Sequence, residues 1–381
     1  VRLLLEPTAQ RPALLLAVSI LPSAWIATQE GLFMGVHLHH RITATAFVEG
    51  VVKLSAGVVV LAAGGGLAGL CAGLTLARLV AFAFGHVFAA RAGADRSLGS
   101  PAGGTIDFAR AAVPFAVIGT MGVLYFRQDV LVVGALRSQS ETGFYGVATA
   151  LYAMTLLVPG SVMSAVYPRL ASVFAKSRDA YHEATVLATK VLTVFCVVMA
   201  IGMIAVAPWL VLLLYGADYL AAVPVFSLLA ATFPLHAANG TLGQAMQAGH
   251  LEREMLIVTV GTVILNLALN LALVPRLGIE GAALSILISS GLALLVLGWV
   301  YHRRVSPLSM GMRSLLAPVA MAGPLVLLLV APDWMRLPGA VLGLLVVAAG
   351  ARFSGLLAAD DLDRLLAAFG ARPPRAEGGN A

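Results

Sequence analysis

Charge is scarce in this 381-residue chain, where only 11% of residues are Asp, Glu, Lys or Arg. A soluble domain carries about 25%, so a water-facing surface all round cannot be built from this composition. Cysteine is scarcer still. Cys71 and Cys196 lie inside apolar stretches, with no ligand spacing and no reason to pair, and read as buried bystanders. The sequence lacks a Gly-rich phosphate loop ending in Lys-Ser or Lys-Thr, and it lacks His/Glu metal spacing. Nothing argues for nucleotide hydrolysis, and no cofactor or enzymatic activity is expected. The residues before Arg11 are not expected to form a cleavable signal peptide, since Arg2 is followed by only three leucines before Glu6.

Apolar residues are abundant instead. They make up 60% of the chain, and the mean hydropathy is +0.94. Residues 279–300 carry no charge after Glu280, and 315–331 carry none. A bilayer core of roughly 30 Å needs about 20 such residues as a helix. Apolar runs between charged or Gly/Pro-rich breaks predict eleven spans: 12–36, 42–63, 66–90, 109–136, 142–168, 184–215, 219–248, 251–275, 278–301, 314–332 and 338–357. The segment from Asp360 to Phe369 is short and amphipathic, suited to the membrane surface.

Alternating the loops sorts the basic residues. Sixteen, including Arg41, Arg91, Arg169, Arg303, Arg304 and Arg364, fall on one side, and five (Arg2, Arg11, Arg137, Arg276 and Arg336) on the other. Cytoplasmic loops hold the excess of Lys and Arg. The C-terminus is therefore expected in the cytoplasm and the N-terminus outside. The basic pI of about 9.6 has this cause, and nucleic acid is not an expected partner. An outside N-terminus without a signal sequence is expected if an odd number of helices precedes Val1.

A shift of 212 residues aligns two stretches without a gap. Pro22 meets Pro234, Gly31 meets Gly243, Arg41 meets Arg253, Gly66 meets Gly278, Gly69 meets Gly281 and Arg91 meets Arg303. Three helices near the start thus repeat as three later, offset by six helices and in the same sense across the membrane. This is a parallel repeat about an axis along the membrane normal. It predicts an all-α polytopic, two-lobed fold whose first lobe lacks three helices. Residues 1–107 form the partial N-terminal lobe, 108–302 a six-helix lobe, 303–358 two further helices, and 359–381 an amphipathic cytoplasmic tail. In a three-helix half-lobe, the small-residue face of Gly66, Gly69 and Gly73 is expected to lie open to lipid.

The second lobe carries Tyr215-Gly-Ala-Asp-Tyr219, Gly243-Gln-Ala-Met-Gln-Ala-Gly249, and Asn266-Leu-Ala-Leu-Asn270 followed by Pro275-Arg-Leu-Gly278-Ile-Glu-Gly281. Upstream stand Phe126-Arg127-Gln128-Asp129 and Tyr167-Pro168-Arg169-Leu170. From residue 12 to 369 the chain resembles the polysaccharide-flippase branch of the multidrug/oligosaccharidyl-lipid/polysaccharide exporter superfamily, with its MATE-like architecture. The resemblance implies flipping of polyprenyl-diphosphate-linked oligosaccharide across the bacterial inner membrane, through a cleft between lobes and by alternating access. It implies the lipid bilayer as surroundings, and polysaccharide polymerase and glycosyltransferases as candidate partners. Two rivals remain open: a cation-coupled multidrug antiporter of the same superfamily, and a non-transporting remnant or scaffold for glycan-assembly enzymes.

A cation at the bilayer centre costs about 2.5–3.5 kcal/mol on insertion scales, so Lys53, Arg78 and Arg127, all deep inside spans, need partners or a wet cavity. Glu49 and Lys53 share a helical face at i, i+4. Arg78 has no acid in its own helix and is the first candidate for a diphosphate. Arg127 and Asp129 are two apart, about 200° around a helix, which would send one to the cleft and the other to a neighbour. These five are the candidate substrate-binding residues. Asn266 and Asn270 share a face and read as helix–helix hydrogen-bonding residues. Gln29 and Glu30 are expected in the headgroup region, and His37, His39 and His40 in a solvated turn.

Overall fold

The computed structural model describes residues 7–35, 38–91, 105–174, 177–305 and 323–353. Every regular element among them is a helix, as the apolar runs predict. In order they are α1 (Pro7–Val18), α2 (Ile20–Gly35), α3 (His39–Ala62), α4 (Gly66–Arg91), α5 (Thr105–Leu136), α6 (Gln139–Phe174), α7 (Arg178–Tyr215), a 3-10 turn (Ala217–Tyr219), α8 (Ala222–Ala230), α9 (Phe233–Ala248), α10 (Glu252–Arg304), α11 (Gly323–Val330) and α12 (Asp333–Phe353). Seven stretches among the described residues are long and apolar enough to cross a membrane. One of them, the 53-residue α10, folds back on itself at Gly278 (φ 65°, ψ −145°) and so provides two passes. The expected 109–136 pass lies in α5, and the last expected pass begins within α12. The 314–332 pass is described only in part, as α11. His37 and the Asp360–Phe369 segment lie outside the described residues.

Two compact units divide the chain, Val1–Phe108 and Ala109–Ala381. In the first, α4 packs against α1, α2 and α3. The expected pass over 12–36 is present as one membrane-length apolar stretch, Pro12–Glu30, which a turn at Ser19 divides into α1 and α2. Pro22 is the cause, because its ring clashes with the carbonyl four residues back and it cannot donate to it. The Ser19 hydroxyl caps the Leu16 carbonyl at 2.6 Å. Thr75 Oγ1 donates to the Leu15 carbonyl at 2.9 Å, tying α4 to α1.

Three expectations for this unit need correction. The glycine face of α4 is open only at Gly66, where a Cβ would meet nothing within 4 Å; a Cβ on Gly69 would lie 2.7 Å from Val60, and one on Gly73 would lie 3.1 Å from Ala56, so α3 covers the rest. Gln29 is not at a solvated end. It is 5% exposed, and its carboxamide oxygen, suitably turned, accepts from the Trp25 indole N–H at 3.2 Å. His39 and His40 form the first turn of α3 rather than a loop.

In the second unit the apolar core lies along α7, α8 and α9, with Ile201, Ile204, Phe226, Leu229, Phe233 and Met246 fully buried. Thr189 donates to Thr241 at 2.9 Å between α7 and α9, and the Tyr181 hydroxyl donates to the Ala245 carbonyl. Tyr152 of α6 stacks on Phe233 at 5.3 Å between centroids and accepts from Thr232 at 3.1 Å, fixing the break between α8 and α9. The α5–α6 hairpin closes with a reciprocal cap. Glu141 N–H donates to Ser138 Oγ and the Ser138 N–H donates to the Glu141 carboxylate, both at 3.2 Å. Both cysteines are free and buried.

Candidate functional site

In the first unit, α3 and α4 bring three predicted residues together. Glu49, 13% exposed, accepts from Lys53 at 3.1 Å through one oxygen and from Arg78 at 3.1 Å through the other. The i, i+4 spacing presents Glu49 and Lys53 on one face of α3, and α4 delivers Arg78 to the same carboxylate. One acid between two bases leaves the cluster with one positive charge in excess. The side chains of Lys53 and Arg78 remain 44% and 38% exposed, so both cations keep an open face.

The second unit holds the other two. Asp129 is 2% exposed and accepts from the Asn270 amide at 2.5 Å. Arg127 is exposed. The expected divergence of the two is partial: Asp129 packs against α10, yet both line one cavity of about 540 Å³, with Tyr125, Thr149 and Tyr152. Asn266 and Asn270 make the cross-helix bonds their spacing suggests. Gln128 donates to Asn266 Oδ1 at 2.5 Å and to the Val263 carbonyl at 3.3 Å. Asn266 donates to Ser289 at 3.2 Å, across the two arms of α10. Such bonds satisfy polar groups that lipid cannot.

Sequence reading missed Tyr125, Gln128, Asn239, Ser289 and Ser290. Tyr125 pairs with Ser290 at 2.8 Å and Ser289 at 3.4 Å, and Asn239 donates to the Ser290 carbonyl at 2.9 Å. Tyr125 and Asn239 have apolar or glycine neighbours on both sides, Ser289 and Ser290 form a pair within an apolar run, and Gln128 stands between Arg127 and Asp129. The one available signal was the adjacency of Gln128 to Asp129 opposite two asparagines spaced by a turn.

Chemically, the two clusters differ. Lys53 and Arg78 offer N–H donors to an anion such as a phosphate. The Asp129 cluster presents carboxylate, amide and hydroxyl oxygens, a donor set for a proton or a hard cation rather than for a soft metal.

A family model described as "Polysaccharide biosynthesis protein" matches residues 2–224. The probable low-salt glycan biosynthesis flippase Agl15 of Haloferax volcanii is 25% identical over 177 residues, which are 46% of this chain and 38% of that protein. The chain thus spans well under half the length of this curated relative. Among solved structures, the lipid II flippase MurJ in its inward closed conformation superposes with a TM-score of 0.65 at 15% identity, over 91% of this chain and 74% of that one. At this identity the likeness is one of fold.

Proposed function

The chain belongs to the polysaccharide biosynthesis protein family, and from that premise we propose that it flips a polyprenyl-diphosphate-linked oligosaccharide across the bacterial inner membrane. The observation that carries the reading is the Lys53–Glu49–Arg78 cluster, whose excess positive charge lies in the middle of two apolar helices. Intramembrane charge of this kind is costly and marks a substrate path by default. A diphosphate is the group that would use it. Within the first unit Lys53 and Arg78, oriented by Glu49, are the candidate contacts for the anionic headgroup; within the second unit the candidates are Arg127 and Asp129. The chain acts as a transporter rather than an enzyme, beside the polymerase and glycosyltransferases that consume and supply its substrate.

The buried Asp129 favours a second reading, a cation-coupled multidrug antiporter, because an acid in an apolar site is what a cationic drug would meet. One experiment separates the two. Arg78→Ala and Arg127→Ala should each abolish appearance of the glycan on the outer leaflet while protein level and insertion are retained. Unchanged glycan export in both variants would remove the reading. Loss of drug resistance with glycan export intact would establish the second.

A further inference from the structure

The cavity of about 540 Å³ in the second unit falls within the roughly 300–1,000 Å³ of small-molecule sites. Among the described residues its charged lining is one cation and one anion. Arg127 is exposed, and Asp129 is 2% exposed with Oδ1 held by Asn270 at 2.5 Å. This pair sums to zero, whereas the Lys53–Glu49–Arg78 cluster carries one positive charge in excess. A diphosphate seated in the cavity would bring its negative charge against a buried carboxylate, and like charges repel strongly where water is sparse. The cavity is matched instead to an uncharged group that has both hydrogen-bond donors and acceptors.

The rest of the wall narrows the choice. Tyr125 and Tyr152 both line the cavity, and both hydroxyls are engaged elsewhere. Tyr125 is latched to Ser290 at 2.8 Å, and Tyr152 accepts from Thr232 at 3.1 Å. Phe233 stacks on Tyr152 at 5.3 Å between centroids, which fixes that ring in place. The tyrosines thus contribute ring surface, whose negative π face attracts polarised C–H groups. Thr149 adds a hydroxyl. A hexopyranose combines the matching features in one small ring. Its O–H groups can donate to Asp129, its oxygens can accept from Arg127, and its C–H face suits an aromatic wall.

We infer that this cavity holds a neutral pyranose ring of the transported glycan and rejects an acidic one such as a uronic acid. The inference rests on the flippase reading and narrows it: Arg127 and Asp129 contact the sugar of the headgroup rather than its diphosphate. Asp129 sets the selectivity, because a sugar carboxylate would meet a second carboxylate on the wall. A hydrogen bond to a charged group is worth about tenfold or more in affinity.

The test is binding to the purified protein in nanodiscs. The probes are polyprenyl diphosphates that carry no sugar, a neutral hexose (glucose, galactose or mannose) or glucuronic acid. Wild type should bind at least one hexose lipid about tenfold more tightly than the bare lipid, and the glucuronic acid lipid no better than the bare one. Ala153→Trp fills the cavity from an exposed position on α6. It should erase the gain from the hexose and leave affinity for the bare lipid unchanged. Met154→Trp, the next residue, is 61% exposed and not part of the cavity wall, and should change neither. Asp129→Asn should remove the discrimination against glucuronic acid. Equal affinity of wild type for all the lipids overturns the inference and leaves the flippase reading standing. So does a hexose gain that survives Ala153→Trp or is lost equally in Met154→Trp, a matching loss of the bare lipid in Ala153→Trp, or discrimination that survives Asp129→Asn. A wild type that binds none of the lipids overturns both.

Discussion

Pro22 and Pro234 stand 212 residues apart, and each ends a helix four residues before itself, at Val18 and at Ala230. A hydroxyl then caps the freed turn in each case, Ser19 on the Leu16 carbonyl and Thr232 on the Leu229 carbonyl, both at 2.6 Å. The same offset joins Gly66 and Gly278, whose φ values are 56° and 65°. Only glycine visits this region cheaply. The repeat therefore acts on the backbone, through one proline that breaks and one glycine that turns.

The two glycines should not tolerate alanine equally. At Gly66 a Cβ would meet nothing within 4 Å, so Gly66→Ala should cost only the left-handed penalty of roughly 1–2 kcal/mol. At Gly278 the ψ of −145° places the residue near a region open essentially to glycine alone. There a Cβ would also sit 3.4 Å from the Arg137 guanidinium. Gly278→Ala should cost about 1–3 kcal/mol. Thermal unfolding in detergent should rank the variants in that order.

The charge cluster makes a different ranking. Glu49→Gln leaves two cations facing each other across α3 and α4 with no acid between them, and should lower protein level and Tm. Lys53→Gln removes only a half-exposed partner and should cost within about 1 kcal/mol. If the lysine variant proves the more damaging, Glu49 is not the centre of the cluster.

The asparagine ladder can be tested by a double-mutant cycle on Gln128 and Asn266. Buried side-chain bonds in membrane proteins average about 0.6 kcal/mol, with a ceiling near 1.7. Gln128→Leu with Asn266→Leu should fall in that range. Asn270→Leu should be worse than either single change, because it removes the amide that holds Asp129. Equilibrium unfolding in mixed micelles gives the coupling. A value of zero would mean the 2.5 Å Gln128–Asn266 contact contributes nothing.

What could be read ahead of the structure follows from distance along the chain. Glu49–Lys53 and Asn266–Asn270 are one turn apart, and a helix fixes such pairs by itself. The 212-residue repeat is a pattern of prolines and glycines, whose effects are local. The Glu49 partner of Arg78 is 29 residues away, the Gln128–Asn266 bond spans 138 and the Tyr125–Ser290 latch spans 165. Those depend on which helix faces which, and apolar runs do not encode it. Gln29 was misplaced for the same reason, since its burial is supplied by α4 through Gly85.

Membrane sidedness follows from combining structure with loop charge. The Arg137 guanidinium sits against Gly278 and bonds Glu141 at 2.6 Å, so the α5–α6 hairpin and the fold of α10 share one end of the second unit. Arg304 reaches Glu254 at 3.7 Å, so the α9–α10 loop and the last turn of α10 share the other end. Reporters fused after Arg137 and after Arg304 must therefore read opposite sides whatever the absolute orientation. The sign comes from the basic residues, which gather on the Arg304 side and obey the excess of Lys and Arg in cytoplasmic loops. A reporter after Arg304 or after Arg364 should read cytoplasmic, and one after Arg137 or Arg336 should read external. Equal readings after Arg137 and Arg304 would contradict the packing of α5, α6 and α10. A full reversal would leave that packing intact and remove the orientation.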